Sequence, residues 1–332
     1  MPDPAPAAES VVAAPEAAAW RRGLRQYAQL TKARLSALVL MTTAVGFALA
    51  GTSTTGTDWW CFFATIVGTA LAAGAANTLN QVLEIRLDAM MDRTRRRPLP
   101  TGELSLRHAW ILAIVLALAG LAMLFLFANA LAAMLALLTI LIYAALYTPL
   151  KRWSPLNTLV GAVCGAIPPM IGWAGARGSL DAGAWVLGAL LFVWQIPHFL
   201  ALAWVYRGEY ARARFAMLPV VDPDGTLTGR IVLLTSLMLV PLTLTATLLG
   251  LAGWIYTLGA LVLSLWLLSR GVRLLAQRTD ANARGVFIAS IIYLALVLAL
   301  MVIDRGPIGS PAMPHYAAGP VTDLPATVLP AD

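Results

Sequence analysis

Long apolar segments recur along the whole chain, and short polar or strongly basic segments separate them. Nine of the apolar segments reach about 20 residues, the length that a helix needs to cross the hydrocarbon core of a bilayer. They lie near residues 34–51, 59–82, 108–127, 129–148, 156–175, 184–206, 231–249, 251–269 and 285–303. The pattern predicts an all-α, polytopic membrane protein built as a bundle of nine transmembrane helices.

Composition supports this prediction. Of the 332 residues, 60% are hydrophobic and only 12% are charged. The mean hydropathy of +0.78 lies outside the range of soluble globular proteins.

The positive charge follows the predicted topology. Of the 23 Lys and Arg residues, 21 fall on one set of alternate connections, and only Arg177 and Arg305 fall on the other set. Cytoplasmic loops of membrane proteins carry an excess of Lys and Arg. We therefore expect a cytoplasmic N-terminus and an outer C-terminus. The net charge of +7 then indicates contact with membrane lipid and no nucleic-acid partner.

The two ends of the chain differ from its centre. Both are rich in Ala and Pro, which predicts a disordered cytoplasmic segment over residues 1–24 and a disordered outer tail over residues 306–332. Residues 25–305 form the predicted intramembrane domain. The first 20 residues contain Asp3, Glu9 and Glu16, which argues against a mitochondrial transit peptide. A bacterial inner membrane fits best.

Polar chemistry is concentrated directly after the second apolar segment. Asn80, Glu84, Asp88 and Asp92 recur every fourth residue, which stacks their side chains along one ridge of a helix. Like charges at this spacing destabilise a helix, so a cation must offset them. Mg²⁺ is one candidate, because it binds through one or two carboxylates and substrate phosphates. Nearby arginines are the other: Arg86, Arg93, Arg95, Arg96 and Arg97.

Two interpretations of this ridge remain open. It is either a solvated, charged helix end beside arginines or a metal–diphosphate site. The repeated spacing and the Asn at its head favour the metal–diphosphate site.

Two other charged segments have similar alternatives. Lys151 and Arg152 follow the fourth apolar segment, where they either anchor the helix at the interface or bind an anionic leaving group. Glu209 lies in the second long connection, residues 207–230. It either pairs with a surface arginine or supplies oxygen ligands to a second Mg²⁺.

His198 is the only histidine inside a predicted span. A polar residue within the membrane is a candidate functional residue. The alternative is a packing histidine whose ring bonds to a carbonyl freed by Pro197. Gly161, Gly165 and Gly172 favour close packing between helices.

Several motifs together resemble the UbiA-type intramembrane prenyltransferases. The resemblance covers residues 25–305 and includes the segment from Asn80 to Pro100, in which Glu84 replaces the Asp of most members. It also includes YTPLKR (147–152), NTLVG (157–161) and PPMIGW (168–173). WQIPHF (194–199) and MLP (217–219) resemble the heme branch of the family, although Gly208 replaces an acidic residue of that branch.

The resemblance implies a nine-helix bundle with a central cavity open to the cytoplasmic side and to lipid. It implies transfer of a farnesyl group from farnesyl diphosphate to a vinyl group of heme B, with addition of water, to give heme O and diphosphate. Handover partners would be a heme A synthase or other oxidase assembly proteins.

The resemblance also implies roles for particular residues. Mg²⁺ would be held by Asn80, Glu84, Asp88 and Glu209. Diphosphate would be bound by Arg93, Arg97, Lys151 and Arg152. Aromatic faces at Tyr143, Tyr147 or Trp194 would stabilise the prenyl cation, and His198 with Trp194 would bind heme. The catalytic group would be Asn80, Asp88, Tyr147, Lys151 and Arg152.

Two alternative functions are weaker. One is prenyl transfer to a quinone precursor or another aromatic acceptor. The other is transport, for which ionisable groups should lie near mid-membrane at broken helices. Only His198 meets that condition, because the acids cluster at one face.

Overall fold

The fold is all-α over the residues described by the computed structural model, 10–51 and 58–305. The helices are α1 (Ser10–Leu30), α2 (Ala33–Ala50), α3 (Trp59–Asp88), α4 (Leu106–Phe127), α5 (Ala130–Leu141), α6 (Thr148–Leu150), α7 (Asn157–Arg177), α8 (Ala182–Val205), α9 (Arg207–Arg212), α10 (Leu218–Val221), α11 (Thr226–Leu248), α12 (Trp254–Ala276) and α13 (Asp280–Ile303). A π-helical turn, Ile142–Tyr147, joins α5 to α6. The predicted fold class is confirmed.

Nine candidate membrane spans are found within the described ranges. They are α2, α3, α4, the continuous segment Ala130–Leu150, α7, α8, α11, α12 and α13, so each predicted span has its helix. The main difference is in α3, which has 30 residues and continues past the apolar segment to Asp88. At 1.5 Å per residue this helix is about 45 Å long, more than a bilayer core of about 30 Å requires. Its last turns therefore carry the acidic ridge beyond the apolar segment.

Helix α1 overlaps the predicted disordered segment, residues 1–24, of which residues 1–9 lie outside the described residues. The chain is helical from Ser10 to Leu30, in keeping with the high helix propensity of its alanines. Its end is held by α3, where the Gln81 amide donates to the carbonyls of Gln29 and Leu30 at 2.9 and 2.6 Å. The predicted C-terminal tail, 306–332, lies outside the described residues.

Close helix packing depends on the predicted glycines. A Cβ at Gly172 would collide with the backbone of Thr43, so glycine permits the contact between α7 and α2. A Cβ at Gly161 would collide with the Tyr147 ring, and one at Gly165 with the Gln195 amide. These glycines therefore leave room for larger side chains that line the central cavity.

A π-helical turn interrupts the α-helical hydrogen bonding within the fourth span. The Thr148 backbone N–H donates to the carbonyl of Tyr143, five residues earlier, and the Thr148 hydroxyl donates to the same oxygen at 2.8 Å. Such turns are rare and occur frequently at functional sites. Here the turn places the rings of Tyr143 and Tyr147 side by side, with centroids 5.1 Å apart.

Candidate active site

A cavity of about 390 Å³ lies between the helices and reaches the two long connections, the first between α3 and α4 and the second between α8 and α11. Of the predicted site residues, those that line it are Asn80, Glu84, Asp88, Arg93, Arg97, Tyr147, Lys151, Trp194 and His198. Arg152 and Glu209 are not among its lining residues. Arg152 is exposed, although it directly follows the buried Lys151. The cavity therefore brings together most of the predicted set.

The acidic ridge is buried. Asn80, Glu84 and Asp88 are 0%, 5% and 1% exposed, so they are not the solvated helix end considered above. Asp92 does not continue the ridge, because α3 ends at Asp88. The Asp92 side chain is 63% exposed and pairs with Arg95 and Arg212.

Each ridge residue has a cationic partner from another part of the chain. Lys151 Nζ lies 2.9 and 3.2 Å from the two carboxylate oxygens of Glu84. Arg97 donates to Asp88 at 2.7 Å. Lys32 donates to the amide oxygen of Asn80 at 2.6 Å. Of the nearby arginines considered as counter-charges from the sequence, Arg97 contacts the ridge, and Lys151 and Lys32 supply the other two contacts.

Lys32 is a site residue that the sequence interpretation missed, because it was counted only as a charge on the N-terminal side. It lies between α1 and α2 in a left-handed backbone conformation, with φ 50°. Burial, together with the positive charges of Lys151 and Arg97, lowers the pKa of Lys32 to about 7. The signal available in the sequence was a lone Lys immediately before the first span.

Lys151 keeps its charge in the same environment. Burial alone would lower the pKa of Lys151, but the adjacent Glu84 carboxylate and the nearby tyrosines outweigh this effect and raise it. Its Nζ also lies 4.5 Å from the centroid of the Tyr147 ring. A charged ammonium is therefore held between an acid of the ridge and an aromatic face.

The two long connections contact each other above the cavity. The Arg93 guanidinium lies 5.4 Å from the Tyr206 ring centroid, and the Arg93 backbone N–H donates to Glu209 at 3.4 Å. The second connection also contacts Lys151, one of the candidate diphosphate ligands. The Ala216 N–H donates to the Lys151 carbonyl at 2.7 Å. Together the connections cover the polar end of the cavity.

An aromatic group also lines the cavity. His198 is stacked between Trp194 and Phe287, with both ring-centroid distances at 4.9 Å. The Trp194 indole N–H donates to the Ser290 carbonyl at 2.7 Å. The predicted pair Trp194 and His198 is thus brought together by α8 and supported by α13.

The ridge has suitable donors for a hard divalent cation. It offers two carboxylates and one amide oxygen on one buried helix face, and Mg²⁺ needs only one or two carboxylates when substrate phosphates complete its shell. A cluster of three His, Cys, Asp or Glu side chains is not found in the part of the chain that the structure describes. The residues therefore fit a metal shared with a phosphorylated substrate.

The family model described as the UbiA prenyltransferase family matches residues 39–299. The chain therefore belongs to the UbiA prenyltransferase family, and it is a multi-pass membrane transferase.

A curated relative refines this assignment. The chain is 44% identical over 293 residues to the protoheme IX farnesyltransferase of Solibacter usitatus (strain Ellin6076), a match that covers 85% of this chain and 99% of the relative. This relationship places the chain in the protoheme IX farnesyltransferase branch, as the residues WQIPHF and MLP predicted.

Solved structures share the fold at low sequence identity. A structure of digeranylgeranylglyceryl phosphate synthase has a TM-score of 0.72 and 16% identity, and the match covers 86% of this chain and 98% of that chain. A UbiA homolog from Archaeoglobus fulgidus bound to GPP and Mg²⁺ has a TM-score of 0.60 and 19% identity, with 83% and 99% covered.

Proposed function

We propose that the protein transfers the farnesyl group of farnesyl diphosphate to a vinyl group of heme B, with addition of water, to give heme O and diphosphate. The observation that carries this proposal is a cavity with two kinds of lining. Its buried group of charges suits a diphosphate, and its aromatic group around His198 suits a porphyrin. The similarity to protoheme IX farnesyltransferases supports the choice of substrates.

The proposed reaction begins with rupture of the allylic C–O bond of farnesyl diphosphate. The bonding electron pair leaves with diphosphate, and the farnesyl group becomes an allylic cation. The π electrons of the heme vinyl group form the new C–C bond, which leaves a cation beside the porphyrin. Water adds to that carbon and loses a proton. The protein must therefore stabilise negative charge on the leaving diphosphate and positive charge on the reacting carbon atoms.

Basic residues of the polar end would stabilise the leaving diphosphate. Lys32, Arg93, Arg97 and Lys151 line the cavity and exceed its two ridge acids in charge. Lys151 would act as a point charge, while the two arginines would bind phosphate oxygens with their forked guanidinium groups. Arg152 is proposed as a further diphosphate ligand. It would have to reorient toward the cavity when substrate binds, because its side chain is exposed.

Asn80, Glu84 and Asp88 would hold Mg²⁺ together with the diphosphate. The bound ion would neutralise charge that develops on the leaving group. The archaeal UbiA homolog bound to GPP and Mg²⁺ supports this cofactor. Glu209 is proposed as an outer ligand that approaches only if the two connections move toward the substrate, because it lies outside the cavity lining.

Aromatic faces would stabilise the farnesyl cation. Tyr143 and Tyr147 lie together on the π-helical turn, close to Lys151 and therefore to the proposed diphosphate site. An aromatic face beside a desolvated cation contributes about 1–2 kcal/mol. We propose Tyr147 as the catalytic aromatic residue. Trp194 and His198 would then contact the heme.

We further propose a bacterial inner membrane location with the N-terminus in the cytoplasm and the C-terminus outside. The alternate placement of basic residues supports this orientation. Heme delivery and collection would involve a heme A synthase or other oxidase assembly proteins. Reporter fusions at Arg97, Arg214 and the C-terminus test the orientation. A cytoplasmic C-terminus would contradict it.

The direct test of function uses the purified full-length protein in lipid nanodiscs. We expect incubation with Mg²⁺, heme B and farnesyl diphosphate to give a product whose mass equals heme B plus one farnesyl group and one hydroxyl group. Omission of Mg²⁺ or farnesyl diphosphate should abolish the product. Prenylation of a quinone precursor, with heme B unchanged under the same conditions, would overturn the proposed acceptor.

A further inference from the structure

The environment of His198 contains a hydrogen-bond chain that assigns its ring protons. His198 Nδ1 lies 2.8 Å from Ser290 Oγ, and Ser290 Oγ donates to the carbonyl of Phe287 at 2.7 Å. A serine hydroxyl has one proton, and a carbonyl oxygen only accepts. Because the proton of Ser290 is used on Phe287, Nδ1 of His198 must be the donor to Ser290.

The reverse arrangement is disfavoured. If Ser290 donated to His198, its oxygen and the Phe287 carbonyl oxygen would lie 2.7 Å apart with no proton between them. Ser290 is fully buried, so water cannot compensate for that repulsion. His198 is therefore the neutral tautomer with its proton on Nδ1. Its Nε2 carries a lone pair and has no protein hydrogen-bond partner within residues 10–51 and 58–305.

Three contacts fix the orientation of this ring. Trp194 and Phe287 stack on its two faces, with interplanar angles of 22° and 29°, and these contacts set the plane of the imidazole. The bond to Ser290 then sets the rotation within that plane. Ser290 also helps to hold Trp194 against the His198 ring, because the Ser290 carbonyl accepts a hydrogen bond from the Trp194 indole N–H.

From this geometry we infer that Ser290 is a positioning residue that holds His198 with its Nε2 lone pair available to the iron of the heme substrate. The inference rests on the proposed function, because it requires heme as a ligand of the cavity. It also decides between two possible contacts of His198 with heme, a bond from Nε2 to the iron and a hydrogen bond donated by Nε2 to the porphyrin periphery. A neutral histidine protonated on Nδ1 has no proton on Nε2, so it cannot make the second contact. A second partner on a metal-bound histidine fixes its tautomer and raises its basicity.

The test compares Ser290→Ala with Ser290→Thr, which retains the hydroxyl, and with Ser236→Ala. Ser236 is a suitable control because it is also fully buried and its hydroxyl also donates to a helical carbonyl, that of Val232 at 2.7 Å. Heme B is titrated into each full-length protein in nanodiscs. The readouts are heme affinity and the iron–histidine stretching band in resonance Raman spectra of the ferrous complex. His198→Ala identifies that band.

We expect Ser290→Ala to weaken heme binding about tenfold. It should also shift the iron–histidine band to lower frequency, because Nδ1–H loses its acceptor and the ligand becomes less basic. Ser290→Thr and Ser236→Ala should resemble the parent. Binding of farnesyl diphosphate should not change in any of them.

Two results would overturn different parts of the argument. A band that disappears in His198→Ala but is unchanged in Ser290→Ala would overturn the role of Ser290 and leave the proposed function intact. A parent protein that binds no heme B would overturn the proposed function, and the inference with it.

Discussion

The acids at the end of α3 and the acids of the two long connections are the same kind of residue but differ in burial. Glu84 and Asp88 precede the first connection on α3, are nearly inaccessible and pair with Lys151 and Arg97. Asp92 lies within that connection and Glu209 in the second, and both are outside the cavity lining. An acid beside an arginine is therefore not sufficient to mark a site. The acids that matter for charge stabilisation are those held where water is scarce.

The second connection instead has a covering role. Phe215 and Met217 are buried against Met91 of the first connection, and Ala216 bonds to the backbone at Lys151. These contacts hold the second connection against the first connection and against Lys151. We therefore expect chemistry to depend on the ridge and only modestly on the exposed ion pairs above it.

The largest effect is expected for Asp88→Ala. Loss of a main metal ligand should remove about 4 kcal/mol of transition-state stabilisation, or on the order of a thousandfold in turnover. The variant also leaves Arg97 without its buried carboxylate partner, so turnover is expressed per amount of folded protein. Turnover of heme B at saturating Mg²⁺ is the measurement.

Asp92→Ala is the matched control, because it removes an acid four residues later that is exposed. It should retain turnover within about threefold of the parent, as surface ion pairs contribute little. If Asp88→Ala retained more than about a tenth of the parent activity, the ridge would not be the metal site.

A smaller loss is expected for Lys151→Met. Removal of one charge that stabilises the leaving group should lower turnover by about a hundredfold. It also leaves Glu84 buried without its closest cation, and breaking a buried pair in this way costs about 3–5 kcal/mol. The apparent midpoint of thermal unfolding should therefore fall as well, measured with and without farnesyl diphosphate.

Arg152→Met provides the comparison, because Arg152 is the adjacent exposed cation. The loss of turnover and the fall in the unfolding midpoint should both be clearly smaller for Arg152→Met than for Lys151→Met. Equal losses in the two variants would mean that Arg152 turns into the cavity during the reaction.

Hydropathy predicts the nine spans because each span is a local property of about 20 residues. The pairing of Lys32 with Asn80 is different, since it joins residues 48 positions apart. Spacing alone extended the ridge to Asp92, but helical spacing holds only while the helix continues, and α3 ends at Asp88. In the sequence, Ser290 does not differ from other small polar residues within spans. Its contact with His198 depends on the packing of α13 against α8, which joins residues 92 positions apart.

Glu209→Gln should have a weaker effect than Asp88→Ala or Lys151→Met. The change keeps the size of the side chain and removes its charge beside Arg93. We expect turnover to fall by less than about fivefold, because an exposed charge contact contributes up to about 1 kcal/mol. The measurement is turnover as a function of Mg²⁺ concentration. A loss comparable to that of Asp88→Ala, with a raised Mg²⁺ requirement, would instead make Glu209 a direct metal ligand.

The smallest effect is expected for Arg212→Gln, which removes the ion pair that joins the connections at 3.0 Å. Both partners are more than half exposed, and Asp92 keeps its contact with Arg95. The pair should therefore contribute less than about 1 kcal/mol, and added salt should weaken it further. A double-mutant cycle with Asp92→Asn, read by thermal unfolding at low and high salt, measures this coupling. A large coupling that persists at high salt, accompanied by loss of turnover, would show that the two connections act as one unit. The difference in burial between the acids of α3 and those of the connections would then not separate their roles.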